Sequence, residues 1–252
     1  MTGEKKFPVM EIFGPTIQGE GKMIGKVSHF VRFGGCGYRC TWCDSMHAVD
    51  PELIKKNATY MTSEELVTQV LGLRRNHKAA LQNEYTWVTL SGGDPVMWDL
   101  SDFVNIVGVK LNIAVETQGQ IYNSWLENCH HVTVSPKPPS SGMAHKIDYG
   151  ILDAYAQTLN ERMCLKVVIG SYQDLDWAEA LHARYSGIDF YLSVLTPPEV
   201  FLIGSSHKAG IRSDMIDDLV QGVEGLLLRE SMFDVTILPQ LHTLMWLNKL
   251  GV

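Results

Sequence analysis

Short β-branched and aromatic runs alternate with longer segments of helical period along most of the chain, at the spacing of βα units. Ser28 to Phe33 (SHFVRF), Thr86 to Ser91 (TWVTLS), Asn112 to Glu116, His131 to Ser135 (HVTVS), Cys164 to Ile169 (CLKVVI) and Asp189 to Val194 (DFYLSV) read as strands, the last of them ending the main sheet. Met61 to Arg75, Leu100 to Lys110, Tyr122 to Asn128, Ile147 to Asn160 and Asp174 to Tyr185 read as helices. Thr62 with Glu65 three residues on forms a capping box that opens the first of these.

Such alternation predicts a parallel sheet with helices outside it. Six strands fall short of a closed eight-stranded barrel, so the expected fold is α/β, an open, partial TIM-like barrel of about six mostly parallel strands with outer helices. Thr196 to Arg212 (TPPEVFLIGSSHKAGIR) is rich in Pro, Gly and Ser and reads as a long loop. The tail from Asp234 to Val252 reads as a strand, a Pro break and an apolar helix whose Leu, Met and Trp residues suit a core or a dimer surface.

The chain has 252 residues, 45% of them hydrophobic and 19% charged, which is ordinary globular composition and points to one domain over 1–252 with a C-terminal extension from about 196. A formal net charge of −7 argues against a broad nucleic-acid footprint, which needs clustered Lys and Arg, and favours a small substrate. Met1 to Met10 carries no apolar leader, and no run of about 18 apolar residues is present to span a bilayer. The expectation is a cytoplasmic protein with no membrane partner.

Three of the five cysteines crowd into Gly34 to Ser45 (GGCGYRCTWCDS), a poor disulfide framework and a good metal site. Cys36, Cys40 and Cys43 offer three thiolates on one Gly-rich loop after a strand, within a loop of residues 34–47. Soft ligands of this kind select zinc, copper(I) or iron–sulfur. A structural zinc wants four protein ligands, and His47 is the nearest fourth. An iron–sulfur cluster also takes four cysteines as a rule, so three leave one iron to a ligand that is not protein. Cys129 and Cys164 stand alone beside strands and read as small buried hydrophobes. After the second strand comes Ser91-Gly92-Gly93-Asp94-Pro95, where glycines allow the main chain to approach a ligand closely.

The Cys-x-x-x-Cys-x-x-Cys loop after the first main strand, with Trp42 just before the last Cys, resembles the signature of the radical S-adenosylmethionine superfamily, and the GGDP segment resembles the part that meets the cofactor's methionine amino group. Glu11 to Gly21 (EIFGPTIQGEG), Arg32, Cys43-Asp44-Ser45, Glu116 to Gly119 (ETQG), Ser135 to Ser141 (SPKPPSS) and Leu238 to His242 (LPQLH) extend the likeness over essentially the whole chain. Together they resemble the 7-carboxy-7-deazaguanine synthase family.

That resemblance implies a [4Fe-4S] cluster on Cys36, Cys40 and Cys43, S-adenosylmethionine on its open iron, and Mg2+ on Ser45. It implies radical ring contraction of 6-carboxy-5,6,7,8-tetrahydropterin to 7-carboxy-7-deazaguanine, with loss of ammonia, on the way to queuosine and other 7-deazapurines. Ile17, Gln18, Gly19, Glu20, Arg32 and Ser91 would contact the pterin. Trp42, Asp44, Gly93, Ser135, Pro136, Lys137 and Ser193 would contact S-adenosylmethionine. An external flavodoxin-like or ferredoxin-like reductant and a homodimer are also implied. Two other readings stay open at this point: an activating enzyme for glycyl-radical proteins, and a zinc-stabilised binding module without catalysis.

Overall fold

The structure, a computed structural model, describes residues 4–75, 86–196, 208–247 and 249–251. All six expected strands form: β2 (Val27–Phe33), β4 (Trp87–Gly92), β5 (Asn112–Thr117), β6 (His131–Val134), β7 (Met163–Ile169) and β8 (Phe190–Val194). They pair in parallel in that order. Three further strands extend this set to a nine-stranded open sheet of order β3-β1-β2-β4-β5-β6-β7-β8-β9. β1 (Phe7–Ile17) lies antiparallel to β2, and β3 (Thr59–Met61) lies antiparallel to β1. β9 (Thr236–Leu238) continues the parallel set beyond β8, which corrects the expectation that Asp189 to Val194 ends the sheet.

The two faces of the sheet differ in chemistry because side chains alternate along each strand. Val31, Phe33, Val88, Leu90, Ile113, Val115, Val132, Val134, Leu165, Val167 and Leu192 turn to one side and join a single core cluster with helix residues such as Phe103, Leu152, Tyr155 and Leu181. α1 (Pro51–Asn57) follows the cysteine loop, and the helices that supply this layer include α2 (Ser63–Arg75), α3 (Ser101–Val107), α4 (Tyr149–Leu159) and α5 (Tyr172–Arg184). Between the core residues, the same strands carry Arg32, Ser91, Glu116, Thr133 and Lys166, which border a cavity on the other face. The single turn Gly21–Met23 that follows β1 packs beneath β7 and β8, so the curled sheet wraps around this segment.

The capping box forms as expected: Thr62 Oγ1 accepts from Glu65 N at 3.2 Å, and Thr62 N donates to Glu65 Oε2 at 2.8 Å. Tyr122 to Asn128 is only partly helical, a 3-10 turn over Ser124–Asn128. Of the expected loop from Thr196 to Arg212, residues 197–207 lie outside the described residues. Residues 208–212 are not loop, because α6 (Lys208–Leu227) starts there. The tail takes its expected form, with β9, a break at Pro239 and α7 (Leu241–Trp246), a helix of a turn and a half.

Candidate active site

The cysteine loop leaves the end of β2 and is held by backbone hydrogen bonds on both sides. Gly34 N donates to Pro8 O at 2.8 Å, Gly35 N to Ala48 O at 2.8 Å, and Asp94 N to Gly35 O at 2.7 Å. Its side chains also reach the SPKPPSS segment. Trp42 Nε1 donates to Ser140 Oγ at 3.1 Å, and Thr41 N donates to Ser141 O at 3.0 Å. That segment is in turn fixed by buried Asp174, whose carboxylate accepts from Ser140 N at 2.9 Å and Gly170 N at 3.0 Å. Cys36, Cys40 and Cys43 are all free and border one cavity. Burial pushes their thiols up, Cys43 to about 11, while the Lys137 ammonium pulls the other way on each of them.

The donor set, three soft sulfurs with one nearby cation, suits an iron–sulfur group. Among the described residues no three His, Cys, Asp or Glu side chains gather as a single ion requires. His47 does not join the cysteines. Its Nε2 instead lies 3.9 Å from Glu11 Oε1.

The glycines of the GGDP segment have a structural reason besides the expected approach to a ligand. Gly92 sits at φ +144°, and a Cβ there would stand 2.1 Å from Phe33 O. A Cβ on Gly93 would stand 2.2 Å from Gly35 O and 2.7 Å from Ala48 O. The two glycines therefore let the backbone of β4 press against the cysteine loop, while also bordering the cavity. Asp94 is wholly buried, and its carboxylate accepts from Val96 N and from Thr117 Oγ1, both at 3.1 Å. Burial raises its pKa to about 6 against those hydrogen bonds. The side chain braces the turn and does not border the cavity.

Across the cavity lies the turn after β1. Gln18 Oε1 accepts from Gly19 N at 2.5 Å and Glu20 N at 3.3 Å, and Gln18 Nε2 donates to Glu116 Oε1 at 2.7 Å. Glu20 pairs with Lys166 of β7 and accepts from Gln240 Nε2 at 2.9 Å. Burial alone would raise Glu20, but Lys166, His242 and the Lys166 and Gln240 hydrogen bonds hold its carboxyl down at about 2. The C-terminal segment is stitched to the same turn, with Leu241 N donating to Gly19 O at 3.0 Å. His242 packs so closely that a Cβ on Gly19 would lie 2.4 Å from its Nδ1.

Arg32 stands between these two walls, its Nε 3.4 Å from Glu11 Oε2 and its Nη1 donating to Ser45 Oγ at 3.3 Å. Ser45 Oγ donates onward to Asp44 Oδ1 at 2.9 Å. Lys137 Nζ donates to Ser135 Oγ at 3.0 Å. Thus Ile17, Gln18, Gly19, Glu20, Arg32, Ser91, Trp42, Asp44, Ser45, Gly93, Ser135, Lys137 and the three cysteines meet in one cavity. Pro136 and Ser193 do not border it. Pro136 is buried, and Ser193 is wholly buried with its Oγ free of any hydrogen-bond partner among the described residues.

Glu116, Lys166, Gln240 and His242 belong to the site without having been assigned roles from sequence. The available signal for Lys166 was a charged residue within the otherwise apolar run CLKVVI, since a lysine is almost never fully buried unless paired.

No protein-family model matches the chain. It is 38% identical to the 7-carboxy-7-deazaguanine synthase of Bacillus subtilis (strain 168) over 98% of this chain and 99% of that protein. It is 36% identical to the enzyme of the same name from Bacillus cereus, again over 98% and 99%. The crystal structure of QueE from Escherichia coli superposes with a TM-score of 0.66, at 21% identity, covering 94% of this chain and 95% of that one. With relatives of this identity matched almost end to end, around a cavity that joins the cysteine loop to the Gln18–Glu20 turn, the chain belongs to the 7-carboxy-7-deazaguanine synthase family of radical S-adenosylmethionine enzymes.

Proposed function

We propose that this chain converts 6-carboxy-5,6,7,8-tetrahydropterin to 7-carboxy-7-deazaguanine with loss of ammonia, a step toward queuosine and related 7-deazapurines. The observation that carries the reading is a single cavity with two chemically distinct walls: three thiols on one, and the Gln18–Glu20 turn with Glu116 and Lys166 on the other. When bound, a [4Fe-4S] cluster and S-adenosylmethionine supply the 5′-deoxyadenosyl radical that starts the ring contraction.

The chain's own residues bind and orient. Arg32, steadied by Glu11, offers its fork to the substrate carboxylate. Ser45, held beside Asp44, would give Mg2+ a hard oxygen donor. Ile17, Gln18, Gly19, Glu20 and Ser91 satisfy the donors and acceptors of the pterin ring. Trp42, Asp44, Gly93, Ser135 and Lys137, which border the cavity, hold S-adenosylmethionine, whereas Pro136 and Ser193 stand behind that wall. Enclosure by these groups keeps water from the radical. The same reading includes a flavodoxin-like or ferredoxin-like electron donor, a homodimer and a cytoplasmic location. No helix among the described residues is long and apolar enough to cross a membrane.

The test is anaerobic incubation of cluster-reconstituted protein with the carboxytetrahydropterin, S-adenosylmethionine, Mg2+ and a reductant. Formation of 7-carboxy-7-deazaguanine is expected, and its absence while S-adenosylmethionine is cleaved refutes the reading. Replacing Cys36, Cys40 or Cys43 by Ala should abolish iron binding and turnover together, whereas Cys129→Ala and Cys164→Ala should retain iron.

A further inference from the structure

Glu116 is a carboxyl group that binding alone does not explain. It sits on β5 with Arg32 of β2, Glu20 of the turn after β1 and Lys166 of β7 as the charged groups around it. Oε1 accepts the Gln18 amide at 2.7 Å, while Oε2 has no hydrogen bond among the described residues. The side chain keeps access to the cavity although it lies deep in the fold.

The two carboxyls beside Lys166 are not equivalent. Glu20 takes the ammonium directly together with the Gln240 amide, and is held ionised. Burial pushes Glu116 up, and the Glu20 charge adds to the rise, against the pull of Lys166, the Gln18 amide and Arg32. Paired carboxyls whose surroundings drive their pKa values apart are the pattern of one fixed charge and one group that exchanges protons.

The reaction has a step that needs such a group. Expulsion of ammonia breaks a C–N bond and a neighbouring C–H bond. The C–H electron pair becomes the new C=C bond of the five-membered ring, and the C–N pair leaves on nitrogen. Nitrogen must gain one proton to leave as ammonia, and carbon must give one up.

We propose that Glu116 is the catalytic acid and base of this elimination, its open Oε2 handing a proton to the departing amine and then accepting the proton from carbon. The carboxyl ends the cycle as it began, so no other proton donor or acceptor is consumed. The Gln18 amide fixes the carboxyl's orientation, and Lys166, already neutralised by Glu20, keeps it titratable without locking it as an anion. This inference rests on the ring-contraction reading given above.

The experiment compares wild-type and Glu116→Gln holoenzyme on substrate deuterated at C6, measuring deuterium in the cofactor's deoxyadenosyl group separately from ammonia and deazaguanine. Glu116→Gln is expected to retain deuterium transfer while releasing ammonia about a hundredfold more slowly or worse. In wild type the rate of ammonia release should fall as pH rises through the elevated pKa of Glu116, and in Glu116→Gln that limb should vanish. Difference infrared spectra of the resting protein should contain a protonated carboxyl band above the pH at which ordinary glutamates have ionised, absent from Glu116→Gln.

Unaltered ammonia release in Glu116→Gln overturns the proposal. Joint loss of deuterium transfer and ammonia overturns it too, because the carboxyl then serves only to hold the pterin. So does an infrared titration in the ordinary carboxylate range. Absence of deuterium transfer in wild type removes the ring-contraction reading itself, and with it this step.

Discussion

The Glu20–Lys166 pair shows how much of this site depends on a few buried charges. Their side chains are 12% and 8% exposed, so each would be expensive to bury alone. Lys166→Ala should therefore cost about 3–5 kcal/mol in urea unfolding, the usual penalty for leaving one member of a buried pair unmatched. Joint replacement of Glu20 and Lys166 by apolar residues of similar volume should recover most of that stability while abolishing pterin binding. The pair also fixes a pH dependence. Glu20 is lowered from 4.5 to about 2, so its stabilisation is fully present above pH 4.5 and is lost as pH falls toward 2. Urea midpoints measured at descending pH should drop across that window, and Glu20→Gln should flatten the drop. The partnership was hidden in the sequence because residues 20 and 166 come together only when the segment after β1 crosses beneath β7. Gln18 and Glu20 were legible as a motif, but what they hold depends on strand residues 98 and 146 positions away.

At the scale of elements, local signals were read well where the physics is local. The capping box of α2 is such a case, and Thr62→Ala should destabilise the protein by about 0.5–2 kcal/mol in thermal unfolding by removing the acceptor for Glu65 N. The cysteine loop is the opposite case, since its shape depends on a second segment. Gly93→Ala would drive a Cβ into Gly35 O and Ala48 O, both backbone atoms that cannot swing aside. The expected result is a protein that folds less stably and loses most of its iron on reconstitution, measured by metal analysis beside a melting curve. Full iron content in Gly93→Ala would show that the loop does not need this close approach. The packing reason for these glycines was not legible in the sequence, because it requires the register of β2 against β4, which puts Phe33 opposite Gly92.

For the molecule as a whole, the six parallel strands were legible because each is a β-branched or aromatic run bounded by helical period. The flanks were not. β3 and β9 have three residues each, too few to carry a period, and β1 is interrupted where its register shifts between Phe13 and Thr16. These flanks nevertheless complete the site, because β1 delivers the Gln18–Glu20 turn and the chain after β9 lays Gln240 and His242 against it. Removing residues 240–252 should leave iron binding intact and raise the KM for the pterin by more than about tenfold, as Glu20 loses a hydrogen-bond partner and the turn loses its cover. The central claim is that the cysteine loop and the Gln18–Glu20 turn are two walls of one reaction chamber. Label transfer in a single turnover addresses it most directly, using substrate deuterated at C6 with reconstituted protein, S-adenosylmethionine and a reductant. Deuterium should appear in the cofactor's deoxyadenosyl group, and its absence alongside continued S-adenosylmethionine cleavage would contradict the shared chamber.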